Sequence, residues 1–152
     1  MIEVIAVVVI LGILAALVSG AHGILDTELA ARAGVLRNHI RYAQLRAMKG
    51  GAVYGLHCEG TNYWLFVTAP TPEENRVALP GETDTAVHLA GTNVTIAAGF
   101  TLYFDAAGQP YKAYSSSSSN TPVSDSESLA IEMTKGGTNV TLSVSPETGF
   151  VP

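Results

Sequence analysis

The feature that most restricts this chain lies at its start. From Val4 to Val18 every residue is apolar: Val4-Ile5-Ala6-Val7-Val8-Val9-Ile10-Leu11-Gly12-Ile13-Leu14-Ala15-Ala16-Leu17-Val18. No Asp, Lys, Arg or further Glu separates Glu3 from Asp26. As a helix, the uncharged stretch Val4–Leu25 would be ~33 Å long at about 1.5 Å per residue, enough for the hydrocarbon of a bilayer. A helix that is apolar all round has no face to offer water, so it needs lipid or protein around it. A secretory signal would place basic residues ahead of such a run and a small-residue cleavage site behind it. An ordinary membrane anchor would carry flanking Lys or Arg. Here an acid stands in front, and the first basic residue is Arg32. A buried core helix of a soluble protein is the third reading, and the missing polar face argues against it.

Glu3 is the odd residue. A carboxylate costs ~2.5–3.5 kcal/mol at the centre of a membrane helix and less near an interface, so it calls for a cationic partner. For an acid so near a chain start the obvious partner is an α-amino group, its own or a neighbour's. Pairing between neighbours would fix the axial register of one helix against the next.

Residues Met1 to Ala16, with Glu3 ahead of the apolar run and Gly12 deep within it, closely resemble the N-terminal signature of type IV pilins and type II secretion pseudopilins. In that family an N-methylated Phe, a Thr and an apolar pair precede the Glu. Two residues precede Glu3, so the resemblance implies two further mature residues and a leader ahead of Met1. It also implies cleavage by a prepilin peptidase, methylation, residence in the bacterial inner membrane, and extraction by a pilus assembly machinery into a helical homopolymer. Glu3 would then dock on a neighbour's terminal amine. Ile2, Val4, Ile5, Val8, Ile10, Leu11, Gly12, Leu14 and Leu17 would line the filament core.

Beyond Leu25 the pattern changes. Leu29, Ala33, Leu36, Ile40, Ala43 and Ala47 recur every three or four residues, with Glu28, Arg32, Arg37, Arg41 and Arg46 elsewhere on the wheel. That predicts an amphipathic helix over residues 26–49, closed by Gly50-Gly51. The simplest arrangement is one helix of ~49 residues, ~74 Å long. Ser19, Gly20 and Gly23 mark its weakest point, suited either to close packing through small residues or to local melting during assembly.

After Gly51 the period becomes two. Strands are expected at Val53–Cys58 and Tyr63–Val67 around Glu59–Asn62, at Val87–Leu89, at Val94–Ile96 and at Thr101–Asp105. A final hairpin is expected from Leu129–Met133 and Val140–Val144. Residues 69–85 read as a loop, and Ser115–Ser119 with Asn120, Thr121 and Pro122 as a flexible surface loop. The fold class is therefore α+β: a long N-terminal pilin-type helix packed on an antiparallel β-sheet domain. Residues 1–25 form an apolar helix, 26–50 its amphipathic continuation, and 51–152 a β-rich head.

Three short segments sharpen the resemblance toward the GspH/FimT branch of pseudopilins and minor pilins. They are Ala43-Gln44-Leu45-Arg46-Ala47-Met48, Phe104-Asp105-Ala106-Ala107-Gly108, and Pro146-Glu147-Thr148-Gly149-Phe150-Val151.

Against 13 Asp+Glu stand 8 Lys+Arg, for a net charge of −5. Beyond Arg46 only Lys49, Arg76, Lys112 and Lys135 are basic, too sparse for a phosphate-binding surface, so nucleic acid is not expected as a partner. His22, His39, His57 and His88 have no metal-ligand spacing. Cys58 reads as a buried small hydrophobe, and His57, on the other face of a strand, is poorly placed to activate it. Asp84, Asp105, Asp125, Glu127 and Glu132 are scattered, and the sequons at Asn93 and Asn139 fall within expected strands. No catalytic residue, metal or cofactor is expected. The sequence points to a filament building block, on the cell surface or in a periplasmic pseudopilus. The alternative is a minor pilin or pseudopilin at a filament tip that binds DNA or a secretion substrate.

Overall fold

The computed structural model describes residues 2–19, 22–126 and 128–152, and for residues 2, 14–19 and 22–26 it describes the backbone alone. The chain is α+β, with two helices and a large antiparallel sheet. Helix α1 spans Ile2–Ser19 and α2 spans His22–Gly50. The expected continuous helix is thus seen as two helical segments, with Gly20 and Ala21 outside the described residues. The expected weak point falls there too: Ser19 and Gly23 are helical in backbone, and Gly20 is not described.

The stripe on α2 is the centre of the molecule. Leu29, Ala33, Leu36, Ile40, Ala43 and Ala47 are all at most 2% exposed. Their spacing keeps one narrow face turned to the sheets, and alanines at three of the six positions let strands approach closely. The helix stops where expected. Gly51 adopts φ +63° and its N–H returns to the Ala47 carbonyl at 3.0 Å, a left-handed cap that glycine adopts without steric cost.

Among the described residues ten strands follow: β1 (Tyr54–Cys58), β2 (Asn62–Val67), β3 (Arg76–Val77), β4 (Val87–His88), β5 (Thr95–Ile96), β6 (Phe100–Phe104), β7 (Pro110–Ser116), β8 (Ser119–Pro122), β9 (Leu129–Lys135) and β10 (Thr138–Val144). The large sheet runs β3-β2-β1-β6-β7-β8, with β4 also pairing β2, and a small sheet runs β10-β9-β5. In the large sheet Leu56 sits opposite Leu65 on one side and Leu102 on the other, all fully buried beneath α2. The small sheet contributes Ile131, Met133, Leu142 and Val144 to the same core. Its hairpin turns on Gly136-Gly137, both at positive φ (58° and 87°), the pairing a two-residue turn between twisted strands prefers.

Several loop expectations are corrected. Residues 69–85 contain a 3-10 turn at Glu73–Asn75 and strand β3. Asn75 stabilises them by donating Nδ2 hydrogens to the Ala69 and Thr71 carbonyls, both at 3.2 Å. Leu89 is not in a strand; it precedes a 3-10 turn at Ala90–Thr92, and Asn93 follows in left-handed geometry. The Ser-rich run is an ordered hairpin, β7 to β8, rather than a loop. It lies at the sheet margin, where both faces are largely wet, so no apolar alternation marks it. Asn120 ties the turn to the Ser116 and Ser117 carbonyls at 3.1 and 2.9 Å.

Candidate functional site

The first candidate surface is α1. Glu3 lies in its first turn, where a negative charge suits the helix dipole. The large side chains from Val4 to Ile13 are 54–66% exposed, including Ile5, Val8, Ile10 and Leu11. The exposure goes round the whole helix because the sequence supplies no polar face. A Cβ on Gly12 would meet nothing within 4 Å among the described residues, so its smallness serves no packing against them. The side chains of Ile2, Leu14 and Leu17 lie outside the described residues. Among the described residues no helix is long and apolar enough to cross a membrane.

The second candidate is a clasp at the far end of α2, where the three short segments singled out in the sequence meet. Gln44 donates from Nε2 to the Gly108 carbonyl at 2.8 Å and to the Thr148 carbonyl at 2.6 Å. A Cβ on Gly108 would come within 2.9 Å of Met48 Sδ, and one on Gly149 within 2.6 Å of the Phe104 ring. Both glycines also have positive φ (81° and 64°), so close approach and backbone conformation require the same residue. Arg41 donates from Nη2 to the Val151 carbonyl at 2.7 Å, and its guanidinium lies 5.1 Å from the centre of the Phe150 ring. Val151 is fully buried. Asp105 closes the intervening turn by accepting from the Ala107 and Gln109 amides, each at 2.9 Å. Tyr111 donates its hydroxyl hydrogen toward Asp105 Oδ2 at 3.0 Å; burial first, and the Asp105 carboxylate next, push its pKa up to about 12. Around this clasp, Leu45, Met48 and Phe150 are exposed by 42%, 47% and 52%. The sequence reading missed that patch. Leu45 and Met48 lay off the buried stripe, which was the available signal.

Elsewhere the chemistry is quieter. An open cleft is lined by His57, Cys58, Glu59, Gly99, Phe100 and Thr101. His57 Nδ1 lies 2.7 Å from Thr101 Oγ1 across the β1–β6 pair, and its Nε2 lies 3.6 Å from Glu59. The trio is a cross-strand His–Thr pair with an acid beside it. Cys58 faces the core, burial raises its thiol pKa, and its Sγ accepts the Gly60 amide at 3.3 Å.

His39 is a buried structural group: Nε2–H donates to the Pro80 carbonyl at 3.2 Å, and Nδ1 accepts from Tyr63 Oη at 3.0 Å. Burial holds its pKa below the ordinary value. His88 pairs with Asn62 at 2.9 Å, and the side chain of His22 lies outside the described residues. Among the described residues no group of three His, Cys, Asp or Glu could hold a metal ion. Of the basic residues beyond α2, Lys135 pairs with Glu28, and Arg76 pairs with Glu73 at 2.6 Å while covering Trp64. Glu127 lies outside the described residues.

No family model, no curated protein and no solved structure matches this chain.

Proposed function

We propose that this chain is a structural subunit of a type IV pilus-like filament, polymerising through its apolar N-terminal helix with Glu3 setting the register between subunits. One observation carries the reading: a helix exposed on every side from Val4 to Ile13, headed by a single carboxylate, in a chain whose globular part buries its own core. Water does not tolerate such a rod, and a bundle of identical rods removes it from water while giving each Glu3 a neighbour to find. The pilin-type architecture belongs to this proposal, as do the inner membrane before assembly, the prepilin peptidase and the assembly machinery.

A second reading is favoured by the clasp, which is built from the three segments that resemble the GspH/FimT branch. It makes the chain a minor pilin or pseudopilin that binds DNA or a secretion substrate at a filament tip. Abundance in sheared surface filaments separates the two: a major subunit dominates there, and a minor one is nearly absent. Mass spectrometry of the filament protein tests both, since either reading requires a methylated Phe two residues ahead of Met1. An unmethylated chain beginning at Met1 would overturn the processing.

A further inference from the structure

We infer that the clasp end of α2 is a docking site for α1 of a second copy of this chain, with Arg41 as the cation that receives Glu3. The inference rests on the filament reading and deepens it, replacing the terminal amine with a residue of the folded domain.

Arg41, Leu45 and Met48 occupy positions i, i+4 and i+7 of α2, which places them along one face. On α1, Glu3, Val7 and Ile10 have the same spacing. Laid parallel, the two helices bring carboxylate to guanidinium, Val7 to Leu45, and Ile10 to Met48. Every one of the apolar members is exposed: Val7 by 55%, Ile10 by 56%, and Leu45 and Met48 as given above. Phe150, beneath the Arg41 guanidinium, widens the apolar floor.

Charge complementarity selects this occupant. Residues 37–58 carry Arg37, Arg41, Arg46 and Lys49 and no acid, whereas Glu3 is the sole charge in α1. Arg41 is also held in place. One of its five N–H donors goes to the Val151 carbonyl and its face lies on Phe150, which leaves the remaining fork for a carboxylate. The contact joins two different surfaces, so every copy that docks leaves its own patch free. Such a head-to-tail contact extends into an open polymer where the rotation does not close into a ring.

The test uses full-length chain in mild detergent or lipid vesicles. A Val7→Cys chain is mixed with a Leu45→Cys chain and oxidised, and a Ser117→Cys chain at the β7–β8 turn serves as control. Parallel helices in contact lie ~8–10 Å apart, so facing cysteines should cross-link while the control pair does not. Arg41→Glu should cut the cross-linked fraction by more than about tenfold, because it sets two carboxylates together, and Glu3→Arg in the partner chain should restore it. Ile10→Asp in the Val7→Cys chain, which leaves the clasp of the other chain untouched, should give the same loss with an unchanged melting temperature. If the chain polymerises but the Val7/Leu45 pair links no better than the control, the docking site is wrong and the filament reading stands. A chain that stays monomeric throughout overturns both.

Discussion

Gln44 is the residue that ties two distant turns to α2. Its one amide nitrogen satisfies carbonyls of Gly108 and Thr148, separated from it by 64 and 104 positions. Gln44→Ala leaves the carbonyl of buried Gly108 without that donor, at a cost of about 1–3 kcal/mol, while the exposed Thr148 carbonyl can turn to water. Gln44→Glu should be worse, since it turns a carboxylate on two carbonyl oxygens. Urea midpoints of the full chain in detergent would rank the three, and equal midpoints would remove the clasp as a source of stability.

His39 gives the residue scale its pH dependence. Burial holds its folded pKa below the ordinary 6.5, so the unfolded chain binds the proton more readily. Stability is therefore full above pH 6.5 and declines as pH falls through the window between the unfolded and folded values. Glu28, held below its usual range by the Lys135 ammonium, adds a separate loss that begins only below 4.5. Melting temperatures between pH 7 and 5 should fall for the native chain. His39→Gln should flatten that slope while lowering stability at every pH; an unaltered slope would exclude His39 as its source.

At the scale of elements, α2 was the most legible part of the sequence. Its stripe was readable because one helix faces two sheets, so burial has a simple period, and Gly51 marks its end by backbone geometry alone. The β9–β10 hairpin was legible for the same reason, alternation with one wet face, whereas β1–β2 was legible as apolar runs around turn residues, Tyr63 to Phe66 being buried in succession. The Ser-rich hairpin was not, because Ser116, Ser119 and Asn120 pair through their backbones and bury nothing that would leave a pattern. The clasp was visible only as three disconnected motifs. Nothing local in Gln44 says that two carbonyls from other segments will meet it.

Gly34 separates folding from assembly at this scale. A Cβ there would meet nothing within 4 Å, and a helix interior prefers Ala over Gly by about 1 kcal/mol. Gly34→Ala should therefore raise the melting temperature of the single chain. If it does so while reducing polymer yield, the glycine is kept for contact with another copy; unchanged yield would make it incidental.

For the whole molecule, the question is whether α1 belongs to the folding unit. The hydrophobic core runs from Leu29 to Val151 and draws on α2 and both sheets, while the described side chains of α1 contribute nothing to it. Exposed apolar surface in α1 stabilises nothing within one chain, because its burial awaits a partner at roughly 25 cal/mol per Å². A chain beginning at Asp26 should therefore keep its fold, remain monomeric at high concentration, and melt within a few degrees of the full chain. The full chain should need detergent, lipid or its own copies to stay dispersed. Circular dichroism melts and sedimentation velocity on both lengths would decide. Loss of the cooperative transition in the shorter chain would mean that the head depends on α1, and assembly would then have to begin from a partly unfolded subunit. If the short chain instead folds yet still forms long polymers, the head domain carries the filament contacts, and neither Glu3 nor the apolar helix is the assembly device.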